Sequence, residues 1–182
     1  MKLPAMPDFP KGEPPFVALL ASHESFIPHW DKEMKAAEDE LDVSSGLTLQ
    51  FEFPDPEKLL ETACFDFNRF LKEAALADGP VKVLVKKVEG KKFEAYTVKV
   101  TDDSVTLEGS DTEAIRRALY YLRDLIAAKP ALKKGVTERT PWLKNRISRC
   151  FFGPIKRPPF NIDELMNDID YYPEEYLNRL AH

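Results

Sequence analysis

The sequence predicts an α/β (α+β) sandwich: a mixed β-sheet with two amphipathic helices on one face, in the order β-α-β-β-β-α, followed by an irregular C-terminal extension. Three observations carry that expectation. Tyr96, Val98 and Val100 alternate with polar residues, and Val105 and Leu107 do so again after a turn at Asp102-Asp103, so each strand has one face for a core. Ile115, Leu119, Leu122 and Ile126, with Ala118 and Leu125 between them, form one apolar stripe at helical spacing. An earlier strand, a long helix and another strand suggest a right-handed parallel crossover feeding the same sheet.

Taken in order, residues 1–45 read as an N-terminal arm and a short helix. Pro4, Pro7, Pro10, Pro14 and Pro15 precede a brief apolar patch from Phe16 to Leu20, which suits an arm laid over a domain or a short edge strand. Asp31 to Leu41, rich in Lys, Glu, Met and Ala, predicts a helix with Asp31 as N-cap. Residues 46–140 then form the α/β domain. Leu47, Leu49, Phe51 and Phe53 alternate as a half-buried strand, and Asp55-Pro56 has the cap-then-proline order that opens a helix. Leu59, Leu60, Ala63, Cys64, Phe67, Phe70, Leu71 and Ala74 form its apolar face, and Asp78-Gly79-Pro80 ends it.

Val81 to Val88, a turn at Glu89-Gly90-Lys91, and Phe93 to Val100 lead into the next strand as a meander. Ser110-Asp111-Thr112-Glu113 has capping-box spacing, with Ser110 as N-cap and Glu113 reaching back. Arg116, Arg117, Arg123 and Asp124 fall on the wet side of the helix, and Lys129-Pro130 closes it. Pro130 to Thr140 reads as a linker, in which Gly135-Val136-Thr137 can add a short edge strand. Residues 141–182 read as a linker and the truncated start of a following barrel. In them Trp142 to Cys150 is a possible strand, Phe151 to Phe160 is irregular, and a helix from Pro173 reaches His182 without a C-cap.

Composition narrows the function. A hydrophobic share of 43% among 182 residues is ample for a core. The net charge of -5 argues against general affinity for nucleic acid or anionic membrane. No apolar run approaches the roughly 20 residues that span a bilayer. The early prolines leave no secretory leader, so a cytoplasmic location is expected; a trimmed secreted chain would read the same. Two cysteines, Cys64 and Cys150, make neither a disulfide framework nor a metal cluster, and both read as packed thiols. His23 and His29, with Glu24 nearby, match no metal spacing. No metal or cofactor is expected, and no glycine-rich phosphate loop, nucleophile elbow or H-E-x-x-H helix is present.

The strand "YTVKV", the strand "VTLEG", the acidic cap and the helix "AIRRALYYLRDLI" together resemble the end of the small non-catalytic, zincin-like domain that precedes the barrel in family 20 β-N-acetylhexosaminidases; α-glucuronidases carry a similar domain. "RTPWLKNRISRCFF" resembles the lead-in to the first barrel strand of those enzymes. The resemblance covers the last half of the chain. It implies an accessory domain, inactive alone, whose partners are its own C-terminal catalytic barrel and, through the whole protein, carbohydrate.

Sugar-acetal hydrolysis needs a positioned acid and a second stabilising group. In the family the substrate's acetamido group is the nucleophile, oriented by an Asp beside the acid Glu, and that pair lies further along the barrel. Asp163-Glu164 falls just after the first barrel strand and Asp39-Glu40 in a solvated helix, so neither qualifies. The family also places a sugar-binding Arg after a Pro-Trp pair. Here Leu143 follows Pro141-Trp142, so N-acetylhexosamine specificity does not follow from the resemblance. Arg146 and Arg149 lie a few residues later, in a Ser-Arg-x-Phe-Phe-like run; an arginine fork binds paired hydroxyls or a carboxylate, or serves a structural ion pair. Trp142, Phe151, Phe152, Tyr171 and Tyr172 can stack on a sugar or fill an interface.

Two other readings remain. Phe93 and Tyr96 with Lys91, Lys92 and Lys99 could form a stacking platform of the RNA-recognition kind, although the acidic balance and the missing glycine-aromatic signature oppose it. Lys144, Arg146, Arg149, Lys156 and Arg157 cluster, but beside loop-forming prolines. The third reading is a protein-interaction module.

Overall fold

A computed structural model describes residues 34–143 together with 146, 177 and 180. Nearly all of these belong to one of two units into which the chain divides, His23–Trp142 with Ala181–His182, and the architecture below is that unit's. The predicted features at residues 1–33, Asp31 as N-cap among them, at Cys150, and at most of residues 144–182 lie outside the described residues; Leu177 and Leu180, on the helix predicted from Pro173, are helical.

The sheet and helices follow the predicted class. Strands β1 (Glu40–Asp42), β2 (Leu47–Phe51), β3 (Val81–Lys87), β4 (Tyr96–Val100), β5 (Ser104–Gly109), β6 (Ala131–Lys133) and β7 (Gly135–Arg139) accompany helices α1 (Glu61–Glu73) and α2 (Thr112–Ala128). The main sheet has five strands in the order β2-β3-β5-β4-β7. β2 and β5 run parallel to β3, while β4 runs antiparallel to both β5 and β7. Residues of one parity, among them Leu47, Val81, Val83, Val85, Tyr96, Val98, Val100, Val105 and Leu107, join α1 and α2 in a single core. The other parity turns Thr48, Gln50, Lys82, Lys86, Lys99, Thr106 and Glu108 to the opposite face, as a period of two requires.

The meander is overturned. β5 inserts between β3 and β4, so the two strands expected to be neighbours are separated. The connection after β3 crosses the end of β5, and it is pinned there: Val88 N–H donates to the Gly109 carbonyl at 3.0 Å. The gain is burial. The strand with the strictest alternation takes a central position, where Val105 and Leu107 are both 0% exposed. The predicted strand from Phe93 therefore begins only at Tyr96, and Phe93-Glu94 form a turn, with Glu94 at φ 63.

The predicted helix over Asp31–Leu41 is also corrected. Residues 34–37 have no regular structure and Glu40–Asp42 is a strand, paired antiparallel with β6 from Glu40↔Lys133 to Asp42↔Ala131. Helix propensity loses to tertiary pairing that buries Leu41 and Val43 against Leu132. The Glu40 Oε2 accepts from the Ala37 amide at 2.8 Å and from Lys129 Nζ at 2.5 Å. The amide first, and then Lys129, hold this carboxyl below its ordinary value of 4.5. A depressed folded pKa means the contribution is present above the unfolded value and lost as pH falls through the folded one. Glu40→Gln should therefore lower the hydrogen-exchange protection of the Val43 amide several-fold at neutral pH, with wild type and variant converging only as pH falls through the depressed pKa of the folded state. Equal protection throughout would remove Glu40 as the tie.

Helix boundaries shift for local reasons. Asp55 is not the N-cap and Pro56 does not open the helix: the cap position is Leu60, without a side-chain cap bond, and the Asp55 carboxylate instead ties the turn ahead of it, accepting from Leu59 N–H at 3.0 Å and Leu60 N–H at 2.9 Å. Lys58, at φ 56, interrupts the turn, so α1 starts only at Glu61 and Leu59 is left exposed. The helix ends at Glu73, ahead of the predicted stop, because Ala75 adopts φ 57 and Leu76 N–H closes back on the Leu71 carbonyl at 2.7 Å. At α2 the N-cap is Asp111, not Ser110: Asp111 Oδ1 accepts from Ala114 N–H at 2.9 Å, and Oδ2 accepts from Glu94 N–H at 3.1 Å. Ser110 Oγ instead donates to the Lys91 carbonyl, and Glu113 pairs with Arg116. Asp111→Ala should cost about 0.5–2 kcal/mol in urea unfolding, and Ser110→Ala clearly less. The reverse ranking would restore the predicted cap.

Candidate functional site

Three places were marked by the sequence. The first is the exit from the sheet. β7 forms the edge as predicted, and all five of its residues are exposed. Beyond it Trp142 and Leu143 have no strand structure, against the predicted strand from Trp142, and Trp142 is 101% exposed. Arg146 is exposed and its Nη1 donates to the Leu143 carbonyl at 3.2 Å. Arg149 lies outside the described residues.

The second, the stacking platform, is dismantled by strand parity. Tyr96 faces the helices and is buried, whereas Phe93 stands exposed in the turn before β4. Lys99 points to the opposite face and binds Glu108 at 2.7 Å. Lys91 Nζ donates to Thr97 Oγ1 at 2.6 Å and lies 3.7 Å from Glu138. The two rings lack a common face, and two of the lysines neutralise neighbouring carboxylates.

The third is Cys64, expected buried. It is partly exposed, a free thiol, and burial pushes its pKa up to about 11. A thiol so shifted is a poor nucleophile at neutral pH.

Two polar clusters escaped the sequence reading. One lies between the helices. Arg123, predicted wet, is 7% exposed, with its guanidinium 5.4 Å from the centre of the Phe70 ring. Asp66 is buried 3.4 Å from Arg69, and Arg116 lies over the buried Tyr120 ring at 5.9 Å. Burial, ahead of neighbouring charges, lowers the Arg123 pKa and raises that of Tyr120. The available signal was the spacing of Arg116, Tyr120 and Arg123, a second stripe at helical intervals on the side of α2 that meets α1.

The other cluster joins α2 to the β4–β7 edge. The Arg139 guanidinium sits 4.4 Å from the Tyr121 ring centre, and its Nη2 donates to the Tyr121 hydroxyl at 3.3 Å. Tyr96 meets the same ring at 6.0 Å, tilted by 49°. Arg117 Nε lies 3.4 Å from Glu94, which is 7% exposed. Burial raises the Tyr96 pKa, the nearby Arg139 opposing it. These side chains clasp elements together.

Glu52, Glu94, Glu108, Glu113 and Glu138 each face a cation, and Asp111 faces backbone N–H groups. Among the described residues no group of three or more His, Cys, Asp or Glu is placed to hold a metal ion. No helix among them is long and apolar enough to cross a membrane.

Fold and contacts thus define an α/β sandwich with helices on one face, a polar opposite face, and polar groups engaged in holding its parts together. The sequence matches no protein-family model and no curated protein. Among solved structures the chain is similar to the GH20 exo-β-N-acetylglucosaminidase of Vibrio harveyi in complex with N-acetylglucosamine, at 15% identity and a TM-score of 0.34. An inactive mutant of that enzyme matches at 15% identity and a TM-score of 0.33. Each match covers 56% of this chain but only 16% of the solved one.

Proposed function

We propose that this chain carries a non-catalytic accessory domain of a carbohydrate-acting glycoside hydrolase, and that the domain packs against a catalytic barrel and braces it. The observation that carries this reading is the unit β4–β5–Asp111–α2. The stretch whose sequence resembles the family 20 accessory domain folds as one hairpin and helix, locked by the Asp111 cap. The pairing of its charged groups with one another suits a scaffold. On this reading residues 1–45 are the arm, 46–140 the accessory domain and 141–182 the linker and beginning of the barrel. Trp142 would stack on sugar in the whole protein, and Arg146 and Arg149 would present guanidinium forks to its hydroxyls.

The test compares residues 1–182 alone with the same sequence joined to a catalytic barrel, on a panel of aryl glycosides. The barrel-bearing protein should release aglycone and residues 1–182 should not; turnover by residues 1–182 alone would overturn the reading. An RNA titration at two salt concentrations addresses the competing nucleic-acid role, and no salt-sensitive binding is expected.

A further inference from the structure

No further inference is drawn: the strongest candidate, the wholly exposed edge strand β7 with Val136 on it and Trp142 just beyond, carries none because nothing in the structure shows what covers it.

Discussion

Gly79→Ala should destabilise the domain by at least about 4 kcal/mol, a loss large enough to threaten folding outright. A Cβ at Gly79 would stand 2.0 Å from the Gly46 carbonyl carbon, 2.2 Å from its Cα and 2.3 Å from its oxygen. Each of these is backbone, so no side-chain rotation relieves the clash. Nor can the two segments separate cheaply. Leu47 N–H donates to the Leu76 carbonyl at 2.7 Å, Gly79 N–H to the Leu47 carbonyl at 3.3 Å, and Thr48 Oγ1 to the Gly79 carbonyl at 2.7 Å. Parting the chains would break this stitching at the point where β2 and β3 start side by side.

Gly46→Ala supplies a second handle on the same crossing. Its φ of +98 disfavours a side chain, and its Cβ would meet the Leu76 oxygen at 2.8 Å. Gly90, at φ +82 with open space around it, isolates the backbone cost alone, about 1–2 kcal/mol. Urea unfolding should rank the losses Gly79→Ala, Gly46→Ala, Gly90→Ala. A Gly79→Ala midpoint equal to that of Gly90→Ala would mean the segments do not cross this closely. If Gly79→Ala yields no folded protein while Gly90→Ala does, the expectation is met.

Phe70→Ala is the second large effect, about 3–5 kcal/mol. The ring is 2% exposed, at the seam of the two helices, and its loss leaves a cavity. It also withdraws the aromatic face beside the buried Arg123 guanidinium. Phe70→Leu keeps most of the apolar volume without the ring and should cost less than half as much. A double-mutant cycle with Arg123→Met separates packing from the cation–ring attraction. A coupling of about 0.5–2 kcal/mol is expected. Zero coupling would mean that Arg123 is held by its aliphatic stem alone.

Some of this was readable in the chain, and the division has a pattern. Alternation located Val98, Val100, Val105 and Leu107 on the core face, and helical spacing located Ile115, Leu119, Leu122 and Ile126. Leu125, assigned to the same stripe, is 37% exposed, because it sits at the stripe's margin. The site was less legible. Trp142 is exposed and Arg146 hydrogen-bonds Leu143, whereas the clasp of Tyr121 and Arg139 joins residues far apart in sequence that only the folded sheet brings together.

The sequence by itself determined the types of β2 to β5, α1 and α2 and the apolar faces of β4, β5 and both helices, because period-two and period-3.6 patterns are local and each residue's neighbours enforce them. It also determined the class of fold, since two helices with one apolar side each need a sheet to cover. Only the tertiary structure decided that β5 lies between β3 and β4, that Glu40–Asp42 is a strand, and that Arg123 is buried. Each of these depends on partners distant in the chain, and burial against such partners outweighs the local preferences of a few residues.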